Sequence, residues 1–386
     1  MTTSLEITCR DPIVCRDGRP FGAGQGNRMR SLDWPLPSVV AGSLRSALGN
    51  SANREFSPAV AQELLGVEVA GVFPVADGQM YLPLPQDCVV RQQQPLRAQP
   101  QECGPAGCDW PVQSLRPVSL TTEQAPDDFK PEEAPAWWPI EPYAAWLSGE
   151  DLALDDRFLR APEVDIRTHV QLDARAGAAE DGNLFASAAL ALSHLRRHGP
   201  PAGGTFPSLF AAIALAARVR AHDWCGDAAA KLNILQPMGG ERRLAHWKAT
   251  SETDAWLCPP RIRPKLAGAS RVRMVLATPA VFRHGWRPGW LNEQLAGQPP
   301  GANVELRLVG VSIQRWRAVS GWSLADLPGQ KRGPKPVRRI SPAGGVYFFE
   351  IAEGSASGLA DRWLESVSDD EQDRRDGFGL AAWGVW

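Results

Sequence analysis

Apolar and polar residues alternate over 4–10, "SLEITCR", the period of two that sends successive side chains to opposite faces of a strand. A stretch rich in Gly and Arg follows, and then the period changes. In "PSVVAGSLRSALG" (37–49), Val40, Leu44, Ala47 and Leu48 share a helical face. Pro37 suits the first turn of that helix and Gly49 its end. Residues 163–173, "EVDIRTHVQLD", read as a strand carrying Val164, Ile166, Val170 and Leu172. The runs 183–192 and 208–220 are apolar enough for either strand or helix. Residues 226–238 read as a helix and 243–249 as a strand. After the connector "CPPRIRPK" the pattern restarts: strand at 270–282, helix at 285–297, strands at 303–316 and 344–352, helix at 357–367, and an apolar strand from 380.

The second half therefore reads β-α-β-β-α-β, the order of the split βαβ unit. The first half gives the same order once a Pro-rich segment is set aside. Residues 83–142 hold 12 of the 34 prolines, a density that leaves little regular structure. This segment is expected to pack across a domain surface, with Trp137, Trp138 and Trp146 anchoring it to the body or to a partner. The predicted class is α+β: two ferredoxin-like (RRM-like, βαββαβ) modules with glycine-rich loops and a Pro-rich insertion. The first module spans 1–250, with the insertion at about 83–160, and the second spans 262–386. Both finish on a helix, a glycine-rich loop ("PMGGERR", "RDGFG") and an apolar strand.

Composition narrows the function. A net charge of −2 over 386 residues excludes a protein coated in positive charge, so any nucleic acid is held by local patches or within an assembly. The 15 tryptophans read mainly as core and interface filling. The first ten residues lack the basic and apolar regions of a signal peptide. The longest apolar run, 210–219, falls short of a bilayer span, so the expected compartment is the cytoplasm. The seven scattered cysteines fit reduced thiols. Cys103 and Cys108 form C-x4-C without two further ligands nearby, so they read as free thiols rather than zinc ligands. No metal and no cofactor is expected.

Three basic, glycine-containing stretches have the chemistry of a phosphate-backbone site. Glycine lets the backbone approach closely, and arginine adds bidentate, charge-assisted bonds. "GGERR" supplies Gly239, Gly240, Arg242 and Arg243, with Glu241 either opposing a phosphate or orienting an arginine. The loop at 16–30 supplies Arg16, Arg19, Gly22, Gly24, Gly26, Arg28 and Arg30, and Arg45 follows on the helix. Its G-x-G-x-G spacing lacks the acidic partner of a dinucleotide site. "KRGPKPVRR" supplies Lys331, Arg332, Lys335, Arg338 and Arg339. Each stretch reads equally as a turn with solvated charges. "RIRPK" with Arg271 and Arg273 is a weaker patch. In "DGFG", Gly377 and Gly379 flank Phe378, a residue for stacking on a base or for filling the core. His169, beside Asp165 and Asp173, is the one histidine near this proposed RNA face.

Four stretches together resemble a known family: "GRPFGAGQGNRMRSLDWPLPSVVAGSLRSALG" (18–49), "HVQLDARAGAAEDGNLF" (169–185), "MGGERRLAHW" (238–247) and "DGFGLAAWGVW" (376–386). They are similar, in order, to the third subunit of the type III-B CRISPR effector, the Cmr complex, of the RAMP superfamily. The resemblance implies ferredoxin-like modules and a non-catalytic role. It implies that the chain caps the 5′ repeat-derived tag of the guide RNA and, in a hetero-oligomer, touches the large polymerase–cyclase subunit and the first backbone subunit. Two other readings stand beside it. One is a metal-free RAMP-type endoribonuclease that processes repeat RNA with His169 as general base; the other is a scaffold that touches protein only.

Overall fold

The computed structural model describes residues 1–17, 27–52, 54–55, 57–102, 115–121, 124, 129–199, 209–251, 254–323 and 332–386. Thr2–Cys9 (β1) buries Leu5, Ile7 and Cys9 and exposes Glu6, as the alternation predicts. Pro37–Ser51 (α1) starts on Pro37 and buries Val40, Ala41, Leu44, Ala47 and Leu48. The first half continues through Glu68–Ala76 (β2), Gln79–Pro83 (β3), Trp137–Pro139 (β4) and Ile140–Leu147 (α2). Val164–Leu172 (β5), Ala179–Leu190 (β6), Ala214–Arg220 (β7) and Asp223–Ala230 (α3) follow, then Asn233–Pro237 (β8) and Leu244–Thr250 (β9). Seven strands form one sheet in the order β8-β9-β1-β7-β2-β3-β4. Every pairing in it is antiparallel.

The second half is built from Arg271–Leu276 (β10), Val304–Ser312 (β11), Val346–Gly354 (β12), the one-turn helix Glu371–Arg375 (α4) and Leu380–Val385 (β13). Its sheet runs β11-β12-β10-β13, extended at the two edges by Ala296–Gly297 and Glu365–Ser366. This is a mixed α/β fold with extensive sheet and short helices. No described helix is long and apolar enough to cross a membrane.

Four expectations are corrected. The strand at 163–173 does not join the first sheet. It pairs with β6 as an antiparallel arm, to which Asn27–Arg28 adds a short parallel strand. The place beside β7 is taken by β2, to which the pattern assigned nothing; alternation reports a strand but not its neighbour. The helix at 226–238 ends at Ala230, and Asn233–Pro237 becomes the edge strand of a hairpin with β9. The helix at 285–297 does not form. Pro288 and Gly289 break the pattern there, Asp369 accepts from the amides of Arg283 and Gly289 at 2.8 Å each, and Asn292 Oδ1 accepts from Ala296 at 3.0 Å. Residues 357–367 form a 3₁₀ turn, Ala356–Arg362, followed by the edge strand Glu365–Ser366.

The Pro-rich segment carries more regular structure than expected, including a hairpin of Cys88–Arg91 with Gln94–Arg97, β4 and α2. Trp137, Trp138 and Trp146 are buried, so they anchor it to the body. It also joins the two halves. Arg273, expected in a basic patch, is fully buried against the fully buried Asp87, and it donates to the Trp146 carbonyl. Trp146 Nε1 donates to the other Asp87 oxygen at 2.9 Å, and Arg97 stacks on the Trp146 ring at 4.0 Å. Gln86 N donates to the Gly344 carbonyl at 2.8 Å, and Arg116 N to that of Val309 at 2.7 Å.

Candidate nucleic-acid interface

The segment 11–17 leaves β1 and is met by 27–32. Leu32 N donates to the Cys15 carbonyl at 2.7 Å and Asp17 N to that of Arg30 at 3.3 Å. Ile13 exchanges amide bonds with Leu190 at the base of the β5–β6 arm, at 2.9 and 2.8 Å. Met29 N donates to the Ala186 carbonyl at 2.8 Å. The loop between β8 and β9 closes on the same segment, where Gly240 N donates to the Val14 carbonyl at 2.8 Å. The two N-terminal sequence patches and the arm are thus one surface. Arg19, Gly22, Gly24 and Gly26 lie outside the described residues.

This packing accounts for the two glycines of "GGERR". Gly239 has φ +76°, and a Cβ there would lie 2.6 Å from the Val14 carbonyl oxygen; at Gly240 it would lie 3.0 Å from Val14 Cγ1. The glycines admit protein backbone, and the Gly240 N–H is already spent on Val14. Glu241 and Arg242 follow with φ +57° and +53°, a primed turn that joins the hairpin strands. Glu241 pairs with Arg243 at 2.8 Å. Arg242 is exposed and has no partner among the described residues. Arg28 and Arg30 are exposed in the same way. The surface is of mixed sign: Arg167 pairs with Asp165 at 2.7 Å, and Asp11 and Glu241 add a weaker attraction.

His169 is half-buried on the arm. Its Nε2 lies 2.7 Å from Ser187 Oγ, and its ring stacks on Phe185 at 5.3 Å. Neither carboxylate singled out with it is bonded to it. Asp165 holds Arg167, and Asp173 accepts from the amides of Ala176 and Arg175, which hold its carboxyl below the usual range. The opposite face of the arm presents Val164, Ile166, Val170, Leu172 and Leu184 to solvent, the last two more than half exposed.

A second arm belongs to the C-terminal half. Arg317–Val319 pairs with Arg338–Ile340, and Trp322–Ser323 with Gly333–Pro334. Lys331 lies outside the described residues. Arg317 pairs with Asp33, which sets the base of this arm beside the 27–32 segment. The arm exposes Trp322 (62 %) and Trp316 (47 %), and Arg339 lies over the Trp316 ring at 4.5 Å. Lys335 and Arg332 are exposed. Arg338 instead reaches inward to Asp373 at 2.5 Å and lies over Phe378 at 5.5 Å. Over 313–323 and 332–340 there are six cations (Arg315, Arg317, Arg332, Lys335, Arg338 and Arg339) and no carboxylate. The two tryptophans were missed in the sequence because tryptophan was read as core; their signal was the basic run around them.

Besides Arg338, four residues expected at an RNA surface are elsewhere. Arg45 is buried, bonded to Asp376 at 2.6 Å and to the Val67 carbonyl at 2.8 Å. Phe378 is fully buried. Gly377, φ +89°, lies so close to β2 that a Cβ would come 2.4 Å from the Val69 carbonyl; at Gly379 it would come 2.5 Å from Ser368 Oγ. The "DGFG" loop is a seam between the halves rather than a phosphate loop. The described cysteines are free, and burial lifts the thiols of Cys9 and Cys15 to about 12, out of nucleophilic range. Among the described residues no three potential metal ligands cluster. Cys103 and Cys108 lie outside them.

The sequence matches the family CRISPR-associated protein (Cas_Cmr3) over residues 5–386. The chain belongs to that family. It is therefore a Cmr3-type subunit, of the type III-B CRISPR effector, as the four motif stretches implied. Several solved structures are similar. A chain of the type III-B Cmr-β complex bound to cognate target RNA has 14% identity, with 98% of this chain and 96% of that one covered and a TM-score of 0.47. A chain of the same kind of complex bound to cognate target RNA and AMPPnP has 14% identity, 89% and 86% coverage and a TM-score of 0.45. The Csm3–Csm4 subcomplex of the type III-A interference complex has 7% identity, 92% and 94% coverage and a TM-score of 0.37. A comparison with curated proteins finds no match.

Proposed function

We propose that this Cmr3-family chain is a non-catalytic, RNA-binding structural subunit that caps the 5′ repeat-derived tag of the guide RNA. On this reading it docks the large polymerase–cyclase subunit and the first backbone subunit within a hetero-oligomer. Its halves, 1–250 and 262–386, are two ferredoxin-like modules. The strand orders β9-β1-β7-β2 and β13-β10-β12-β11 support this, since each is the 4-1-3-2 order of a βαββαβ unit.

The observation that carries the RNA reading is the described part of the second arm, 313–323 and 332–340, where Arg315, Lys335 and Arg339 and two exposed tryptophans lie beside Arg28 and Arg30, which have no partner among the described residues; Arg317 and Arg338 are taken by Asp33 and Asp373. Single-stranded RNA is held by guanidinium contacts to phosphate and by stacking of splayed bases on aromatic rings. Arg242 adds to this surface from the loop that closes on Val14. The isolated chain, at net charge −2, is expected to bind RNA weakly, with neighbouring subunits supplying part of the site.

The test is an assembled complex carrying Arg28→Glu, Arg30→Glu and Arg242→Glu together. Guide RNA is recovered by affinity purification, and its 5′ ends are sequenced. Loss of tag-bearing RNA with the protein subunits still assembled is the expected result. Each lost phosphate contact should also lower the salt slope of binding by about one. Unchanged tag recovery overturns the capping role.

A further inference from the structure

At the end of the first sheet remote from the glycine loop, the seam between the halves opens into a cleft of about 370 Å³. That volume is within the range of small-molecule sites. Arg218 and Arg220 reach it from β7, Arg362 from the 3₁₀ turn, and Arg374 and Arg375 from α4. Glu68, Glu365 and Glu371 are the carboxylates in its wall.

The arginines are not equivalent. Arg218 and Arg220 converge on Glu365 at 3.1 and 2.5 Å, and Arg375 pairs with Glu371. Among the described residues Arg374 donates only to the carbonyls of Ser368 and Asp369, at 3.0 and 2.9 Å, and its charge is paired with no carboxylate there. Arg362 has no partner among the described residues. Its guanidinium lies against Gly301, where a Cβ would come 2.6 Å from Cζ and push it away. Five guanidinium groups against three carboxylates leave a charge of +2, which complements a phosphate monoester, at roughly −1.5 to −2. A single carboxylate would leave half of it unmatched.

The geometry points to a phosphate-binding site in this cleft, with Arg362 and Arg374 as the donors to the phosphoryl oxygens. It is a second anion site, apart from the RNA surface. Arg220 is paired with Thr2 at the start of β1, whereas the glycine loop adjoins the strand where Cys9 meets Ala245. Seven residue steps of strand separate the two ends, roughly 24 Å. The phosphoryl group has two sources that share this chemistry, the phosphate tail of a nucleotide and the 5′-phosphate of an RNA end.

Calorimetric titration of the full chain at low salt tests the site. The probes are pyrophosphate, ATP, a short RNA with a 5′-phosphate and the same RNA with a 5′-hydroxyl, with citrate as a polycarboxylate control. Saturable pyrophosphate binding is expected, weakened about tenfold or more in Arg362→Glu, which removes a charge-assisted bond and adds repulsion. Arg362 is exposed and unpaired, so this variant should melt like the wild type, which separates loss of binding from misfolding. Tighter binding of ATP, or of the 5′-phosphorylated over the 5′-hydroxyl RNA, supports the site and identifies its source. Absence of saturable pyrophosphate binding, equal binding by wild type and Arg362→Glu, or citrate binding as tight as pyrophosphate overturns it. Recovery of the guide tag by an Arg362→Glu complex should be unchanged, so failure here is distinct from failure of the capping role.

Discussion

Gly239 illustrates how a single residue at this surface is decided by its neighbours. Its positive φ and its contact with the Val14 carbonyl leave no room for a side chain. Gly239→Ala should therefore cost roughly 1–3 kcal/mol of stability, read by denaturant unfolding. Three and four residues on, Arg242 and Arg243 differ in availability, because Glu241 has taken Arg243. Glu365 makes a pH-dependent contribution. Burial raises the pKa of its carboxyl, but Arg220 and Arg218 together hold it below the ordinary value. The folded state thus binds fewer protons there than the unfolded state, whose glutamate titrates near ~4.3. Its stabilisation is complete above that pH and is lost as pH falls through the lower folded value. Glu365→Gln should be roughly 1–3 kcal/mol less stable than the wild type at neutral pH, and the two melting curves should converge in acid.

At the scale of elements, each half extends a two-stranded arm, and the arms differ in chemistry. The first is apolar on its solvent face, with Val164, Ile166, Val170, Leu172 and Leu184 exposed. The second is cationic and bears Trp316 and Trp322. Because these tryptophans contribute little to the core, Trp316→Ala and Trp322→Ala should leave the melting temperature nearly unchanged. If they stack on bases, each should weaken RNA binding by the assembled complex by about 1–3 kcal/mol, read by filter binding against salt. Unaltered affinity would separate the arm from RNA and point to a protein surface. The sequence showed β1, α1 and the C-terminal half of the second arm's basic run, "KRGPKPVRR", but not Arg315 and Arg317 on the side of the arm facing it. It concealed the first arm, since 163–173 alternates as a sheet strand does, and it concealed the failure of the 285–297 helix, whose amides are captured by Asp369 and Asn292.

Across the whole molecule, the Pro-rich segment joins two sheets through a buried charge. Asp87 and Arg273 are both fully excluded from water. Asp87→Ala strands the Arg273 guanidinium and should cost about 3–5 kcal/mol, whereas Asp87→Leu with Arg273→Met should recover most of that loss. Equilibrium unfolding of the two variants checks this, and equal losses would show that the pair is not the joint. What the sequence by itself determined is what depends on nearby residues: the alternation of β1, the helical face and Pro37 start of α1, the basic character of three stretches, and the motif stretches that mark the family. The tertiary structure alone decided which of the arginines are available. Arg45, Arg273 and Arg338 reach acids 331, 186 and 35 residues away, while Arg28, Arg30 and Arg242 keep their charge at the surface. A guanidinium looks the same in the sequence whether it meets water, phosphate or a carboxylate. Its partner is set by chain segments that only folding brings within a few ångströms, where the Coulomb term is strong enough to choose.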